Sequence, residues 1–169
     1  MKTAILFCAL AAGAAAQTAP EPLMHTSTTF ELNVALPLAQ AVPLFGPEGE
    51  RAWAGKHWDP QFLWPQPARD QQGAVFTIHH GPFTAVWVNT AFDAAAGHLQ
   101  YVYVIPEIMA TTIDLHLRPD GASTHVTVTY TRTALTPEGN QHVAAMTEGD
   151  RTAGSDWQKA LDTLLASRR

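Results

Sequence analysis

The stretch VTVTYTRTALTPEGN, residues 126–140, joins the pattern of a β-strand to the start of a helix. Val126, Val128 and Tyr130 alternate with threonines, and this two-residue period places their side chains on one face of a strand. Thr136 then has the chemistry of a helix N-cap, and Pro137 suits the first helical position. The stretch therefore predicts a strand with one covered face, followed closely by a C-terminal helix.

Segments on the N-terminal side of this stretch have the same strand character. Candidate strands cover residues 25–34, 74–80, 84–92, 98–105, 109–117 and 123–133. From residue 74 onward, short connections rich in Gly, Pro and Asp separate the strands, and such connections join antiparallel neighbours. A short helix is predicted from Pro37, and the prolines between residues 46 and 73 indicate an irregular connection.

The C-terminal helix is predicted to cover the sheet with one apolar face. Its apolar side chains follow the spacing i, i+3, i+4, i+7, i+8 at Trp157, Ala160, Leu161, Leu164 and Leu165. Each glycine in a helix interior costs about 1 kcal/mol relative to alanine, so the glycines here predict a kink or break between residues 148 and 155. The whole pattern predicts an α+β fold in which a curved antiparallel β-sheet wraps around a long C-terminal helix and leaves a cavity.

The N-terminus has the pattern of a secretory signal peptide over residues 1–16, with Lys2 before an apolar run and alanines at the cleavage site. The run is about twelve residues, below the roughly twenty that span a bilayer, so cleavage is favoured over retention as an anchor. Cys8 is the only cysteine and lies inside this signal. We predict a periplasmic or secreted protein with a flexible segment at residues 17–24, one domain at residues 25–166 and no stable membrane insertion after cleavage.

The charge of the chain argues against a nucleic-acid partner. The full sequence has 10 basic and 15 acidic residues and a net charge of −5. Loss of Lys2 with the signal makes the mature chain more acidic still. Binding to a phosphate backbone needs several grouped basic side chains, and the sequence contains no such cluster. We therefore predict no nucleic acid as a partner.

Several motifs resemble those of the START-like superfamily of polyketide cyclases and lipid-transport proteins, often labelled SRPBCC. They are FGPEGER at residues 45–51, WDP at 58–60, GAVF at 73–76, WV at 87–88, Tyr101, and the stretch 126–140. This resemblance implies the helix-grip fold over nearly all of the mature chain. It also implies an internal cavity for a hydrophobic small molecule or lipid, with catalysis in only some members.

Aromatic and aliphatic side chains are the candidates for the lining of this cavity. Aromatic residues between positions 53 and 64 must be largely buried, either in ordinary core packing or around a ligand. Tyrosines on the strands can pack their rings in an apolar wall while a hydroxyl orients a polar group. The predicted ligand-binding residues are Trp53, Trp58, Phe62, Trp64, Phe76, Trp87, Tyr101, Tyr103, Ile113, Leu115, Val128, Tyr130 and Met146.

Three functions are compatible with this pattern: a carrier of a hydrophobic molecule, a polyketide cyclase or aromatase, and an interaction module with a filled core. An ionisable side chain such as His79 or His80 facing the cavity beside Tyr101 or Tyr103 would favour the enzyme. A cavity below about 300 Å³ would exclude a drug-sized ligand. The carrier is the leading hypothesis.

The eight histidines raise the question of a metal site. A β-hairpin that turns on Asp120 and Gly121 would place His116 opposite His125, with Asp114 on the same outward face. No fourth ligand is evident, and the face is exposed to solvent. We therefore predict no metal and no cofactor.

Overall fold

The computed structural model describes residues 21–168. The predicted signal peptide, residues 1–16, lies outside the described residues. The elements are β1 (His25–Val34), α1 (Leu38–Ala41), a 3-10 helix (Val42–Phe45), α2 (Pro47–Glu50), β2 (Gln61–Trp64), β3 (Val75–His80), β4 (Phe83–Asp93), β5 (His98–Ile105), β6 (Met109–Asp120), β7 (Ser123–Ala134) and α3 (Gly139–Ser167).

The seven strands form one antiparallel sheet in the order β1-β7-β6-β5-β4-β3-β2. From β3 to β7 each strand pairs with the next along the chain, as the short connections predict. Strand β2 pairs with β3 at one edge of the sheet, and β1 pairs with β7 at the other. Side chains on β5 and β6 alternate between buried and more exposed positions. One face of the sheet therefore packs against α3 and the core, and the other faces solvent.

Strand β2 lies in the proline-containing segment that the sequence indicated to be irregular. It pairs with β3, with a register shift between Phe62 and Trp64. Four residues between Pro60 and Pro65 are too few to show a two-residue period, so only the pairing with β3 identifies this segment as a strand.

Helix α3 is continuous from Gly139 to Ser167, so the predicted break between residues 148 and 155 is wrong. Gly154 instead permits close packing, because a Cβ atom there would lie 3.2 Å from side-chain atoms of Phe30 on β1. The helix also begins two residues after Pro137. Nevertheless, the Thr136 hydroxyl accepts a hydrogen bond from the Gly139 N–H at 3.2 Å.

Asn140, in the first turn of α3, contacts the end of the segment predicted to be flexible. Its side-chain oxygen accepts a hydrogen bond from the Met24 N–H at 2.7 Å, and its amide donates to the Pro22 carbonyl at 3.1 Å. These bonds connect residues 22–24 to the start of the helix. Among residues 21–168, no helix has the length and apolar character needed to cross a membrane.

The β6–β7 hairpin turns on Gly121 and Ala122, because Asp120 pairs with Ser123. Gly121 has φ +60 and is the first of two loop residues, where a type II′ turn requires a positive φ. His116 therefore pairs with Thr127, and His125 pairs with Arg118. The predicted pairing of His116 with His125 is wrong by two residues.

Candidate ligand-binding site

A cavity of about 220 Å³ lies between the covered face of the sheet, helix α3 and the segment that follows α2. The segment after α2 contributes Ala54 and Trp58, and α3 contributes Met146 and Trp157. Its lining combines aromatic rings, aliphatic side chains and a few ionisable groups. The lining residues are Glu50, Ala54, Trp58, His80, Trp87, Tyr101, Tyr103, Ile113, Leu115, Tyr130, Arg132, Met146 and Trp157.

Eight of the thirteen predicted ligand-binding residues are in this lining: Trp58, Trp87, Tyr101, Tyr103, Ile113, Leu115, Tyr130 and Met146. The other five lie outside it. Phe76 and Val128 are fully buried in the core, and Trp64 is 52% exposed. Phe62 stacks on Phe76 with the ring centroids 5.4 Å apart. Trp53 packs within the core instead.

Trp53 connects the segment after α2 to the C-terminal helix. Its indole N–H donates to the Leu44 carbonyl at 2.7 Å, and its ring meets Trp157 edge-on with centroids 5.1 Å apart. Phe45 packs against both rings. This cluster fills the space at one end of the sheet, so Trp53 has the structural role that core packing predicts.

An aromatic row crosses strands β2 to β5 on the covered face. Phe76 stacks on Trp87 with centroids 5.7 Å apart, and Trp87 stacks on Tyr103 at 4.2 Å. Trp58 meets Trp87 edge-on at 5.4 Å. The row follows from the strand register, because Phe76 and Trp87 are direct cross-strand partners, as are Trp87 and Tyr103. It gives the cavity a wall of flat aromatic surface.

His80 continues this row at the end of β3. Its ring stacks on Tyr103 and Trp87, with centroids 6.0 Å and 6.3 Å apart. Burial lowers the pKa of His80 below its ordinary value, which favours the neutral imidazole. Its Nε2 atom is buried, and no group within residues 21–168 forms a hydrogen bond with it. A neutral imidazole with a free ring nitrogen can exchange a hydrogen bond or a proton with a ligand.

Glu50, at the end of α2, is a buried carboxyl group in the wall of the cavity. Burial, reinforced by the nearby charge of Asp70, raises the pKa of Glu50 well above its ordinary value. The side chain is therefore favoured as a neutral carboxylic acid. Tyr101 lies close to it, and its hydroxyl donates to the Phe45 carbonyl at 2.5 Å. Burial, followed by the charges of Glu50 and Asp70, raises the pKa of Tyr101.

Arg132 and Asp150 form a buried ion pair between β7 and α3. Nη1 and Nη2 of Arg132 both donate to the carboxylate, with Nη2 3.0 Å from Oδ1 of Asp150. The guanidinium also lies 4.4 Å from the centre of the Tyr130 ring. Pairing of this kind neutralises a positive charge that burial would otherwise make very costly.

Three lining residues have a buried polar atom with no hydrogen-bond partner in the described part of the protein: His80 Nε2, Trp87 Nε1 and Arg132 Nε. Each such atom costs about 1–3 kcal/mol when left unsatisfied. An apolar cavity with a few convergent polar groups is the arrangement typical of a small-molecule site. A ligand with a ring and a polar substituent would satisfy both parts of this lining.

Five lining residues were absent from the predicted ligand-binding set: Glu50, Ala54, His80, Arg132 and Trp157. Of these, only His80 was considered from the sequence as a side chain that would favour an enzyme if it faced the cavity. His80 shares the inward phase of Phe76 and Ile78, and Arg132 shares that of Val128, so the alternation contained a signal for both. Glu50 and Ala54 lie where the chain has no regular period, and only the tertiary structure places them.

Solved structures of other proteins share this architecture at low sequence identity. A protein from Rhizobium leguminosarum has a TM-score of 0.62 at 13% identity over 84% of this chain and 97% of its own. Norcoclaurine synthase from Thalictrum flavum, in complex with dopamine and hydroxybenzaldehyde, has a TM-score of 0.63 at 13% identity over 87% of this chain and 90% of its own. A protein from Rhizobium loti has a TM-score of 0.58 at 18% identity over 88% of this chain and 100% of its own.

No protein-family model matches the chain, and no curated protein is significantly similar to it. At these identities the structural likeness defines the fold. The chain has the helix-grip fold, which confirms the predicted fold class.

Proposed function

We propose that this protein binds a small hydrophobic molecule, built on about one substituted ring, in the cavity between the sheet and α3. The observation that carries this proposal is a mostly aromatic wall combined with polar atoms on His80, Trp87 and Arg132 that have no hydrogen-bond partner among residues 21–168. Apolar surface supplies the affinity, and the polar atoms select a ligand with a matching substituent.

The size of the cavity limits the ligand. The volume of about 220 Å³ is below the roughly 300 Å³ needed by a drug-sized molecule, so a complete lipid is too large for it. An apolar cavity of about 150 Å³ holds benzene. A single ring with one or two substituents is therefore the ligand class that we favour. We further propose that binding takes place outside the cytoplasm, because residues 1–16 have the pattern of a cleaved signal.

Ala54 provides a direct test, because it lines the cavity and is exposed to solvent, which places it at the opening. Ala54→Phe would obstruct the opening without disturbing the core. Ala52→Phe is the matched control, since Ala52 is exposed in the same segment and does not line the cavity. The assay is quenching of tryptophan fluorescence by one-ring phenols and aldehydes, including hydroxybenzaldehyde, because three tryptophans face the cavity.

We expect binding to the unmodified protein, with Ala54→Phe weakening it by at least about 10-fold, or about 1.4 kcal/mol. Ala52→Phe should bind as the unmodified protein does. Equal binding to both variants would place the ligand elsewhere. Tight binding of a long-chain fatty acid would contradict the limit on size.

A polyketide cyclase or aromatase is the second candidate, and the position of His80 favours it. This imidazole faces the cavity beside Tyr103, and burial keeps it neutral, as a proton-transfer group requires. Glu50 supplies a carboxylic acid in the same wall. A carrier needs neither group, whereas a cyclisation with loss of water needs a proton donor and a proton acceptor.

His80→Phe tests catalysis, because phenylalanine keeps an aromatic ring on Trp87 and Tyr103 and lacks the ring nitrogens. His79→Phe is the control, since His79 lies on the exposed face. The substrate is a short poly-β-ketone, and mass spectrometry detects loss of one water. If the protein is an enzyme, His80→Phe abolishes turnover and keeps binding. Equal turnover in both variants would remove His80 from the mechanism, and no turnover by the unmodified protein would leave the carrier as the function.

A further inference from the structure

The solvent-exposed face of the sheet carries a compact group of side chains that the cavity does not use. His98 and Gln100 on β5 lie directly opposite His116 and Asp114 on β6. The two imidazole rings stack with their centroids 4.7 Å apart and their planes 8° from parallel. Asp114 lies between Ile113 and Leu115, which face the cavity, so this group is on the opposite side of the sheet.

Both imidazoles direct the same ring nitrogen at one carboxylate. His98 Nε2 is 2.8 Å from Asp114 Oδ1, and His116 Nε2 is 3.0 Å from Asp114 Oδ2. One donor atom from each of the three residues lies within 4.8 Å of the other two. Two imidazole nitrogens and a carboxylate oxygen are a common ligand set for zinc and related divalent cations, with water in the remaining position.

The carboxylate is held in position by a further pair of side chains. Gln100 Nε2 donates to Asp114 Oδ1 at 3.1 Å, and the Thr90 hydroxyl donates to Gln100 Oε1 at 2.8 Å. The bond from Thr90 fixes which end of the Gln100 amide faces Asp114. Thr90 lies at the register shift between Asn89 and Ala91 in β4, and such bulges redirect side chains. Support of this kind around a metal ligand orients it for binding.

We propose that His98, Asp114 and His116 form a binding site for a late first-row divalent cation such as Zn²⁺ on the outer face of the sheet. The cation takes the place of the two Nε2 protons that otherwise bond to the carboxylate, and each proton moves to Nδ1 of the same ring through solvent, which keeps both imidazoles neutral. Zinc bonds to nitrogen and oxygen are about 2.0–2.2 Å, which places neighbouring tetrahedral ligands about 3.3 Å apart. The two nitrogen–oxygen distances, 2.8 Å and 3.0 Å, are only a few tenths of an ångström below this spacing. The two nearly parallel imidazole rings must in addition tilt toward each other so that both Nε2 atoms point at one ion. Imidazole ligands also select against Mg²⁺ and Ca²⁺, which prefer oxygen.

Calorimetric titration of the untagged protein with Zn²⁺ near neutral pH tests the site. We expect one Zn²⁺ per chain, with binding lost in His98→Ala and in His116→Ala. Gln100→Leu should weaken binding by about 10-fold, because it removes the support and keeps the three ligands. His125→Ala is the matched control, since His125 lies on the exposed face and bonds to Asn33. That variant should bind Zn²⁺ as the unmodified protein does.

A second measurement identifies the ligand atoms. In nitrogen NMR of the histidine rings, Zn²⁺ should shift Nε2 of both His98 and His116 and leave His125 unchanged. Zinc binding that survives His98→Ala and His116→Ala, or equal binding of Mg²⁺ at these residues, would overturn the proposal. Absence of Zn²⁺ binding to the unmodified protein would overturn it as well. The variants change only the exposed face, so thermal unfolding should show that each remains folded.

Discussion

Disruption of the buried ion pair between Arg132 and Asp150 should have a large effect on the stability of the protein. A substitution that changes very few atoms is enough to disrupt it. Their side chains are only 3% and 6% exposed, and both carboxylate oxygens contact the guanidinium. Asp150→Asn keeps the volume and removes the negative charge. The guanidinium would then remain buried without a counter-charge, while its contact with the Tyr130 ring would be kept.

Removal of one partner from a buried ion pair costs about 3–5 kcal/mol, most of it from the charge left behind. With a urea dependence of about 2 kcal/mol per molar, we expect Asp150→Asn to lower the unfolding midpoint by about 2 M. The double variant Arg132→Met with Asp150→Leu replaces both charges by apolar groups. Its free energy of unfolding should return to within about 1 kcal/mol of the unmodified protein.

Arg151 gives a matched control in the next position of the helix. Its ion pair with Glu148 is exposed, with side-chain exposures of 75% and 67%. Arg151→Ala should therefore change the free energy of unfolding by about 0.5 kcal/mol or less. The assay is urea unfolding followed by far-ultraviolet circular dichroism. Two results would contradict this expectation: Asp150→Asn no more destabilising than Arg151→Ala, or a double variant that loses as much stability as the two single substitutions, Arg132→Met and Asp150→Leu, lose in sum.

Three further predictions concern Glu50 and two glycines. Burial raises the pKa of Glu50, so the folded protein keeps a proton that the unfolded chain releases above about pH 4.5. This difference lowers the free energy of unfolding by about 1.4 kcal/mol per pH unit as the pH rises toward the folded-state pKa. Glu50→Gln should therefore gain stability relative to the unmodified protein between about pH 5 and pH 7 in urea titrations, and a constant difference would contradict this. Gly49→Ala should unfold at clearly lower urea, because its Cβ would lie 1.8 Å from the Pro43 carbonyl oxygen. Gly149→Ala should raise the free energy of unfolding by about 1 kcal/mol, because the added methyl group meets no other part of the protein within 4 Å beyond the adjacent backbone of its own helix, and alanine has a higher helix propensity than glycine; a loss of stability there would show that the helix is strained at this point.

The local sequence pattern was sufficient to assign side chains to the buried or the exposed face wherever one face of an element is buried. The alternation from Met109 to Leu117 and from Ser123 to Thr133 places each side chain on the correct face, because the period of a strand is two residues. The predicted hairpin register was wrong by two residues, and a shift of two keeps every side chain on its face. It nevertheless changed the partner of His116 from His125 to Thr127. Turn geometry decides such a shift, and the apolar pattern does not.

What the sequence alone determined is the fold class, the antiparallel meander from β3 to β7 and most of the aromatic wall, because these follow from periodicity, short connections and the burial of apolar surface. Only the tertiary structure placed Glu50 and Ala54 in the cavity, since they lie in a segment without a period. It also brought His98 beside His116, and Arg132 beside Asp150, from separate elements of the chain. Such contacts depend on how the strands pair and how the helix packs across them, and the spacing of neighbouring residues in the sequence does not determine either.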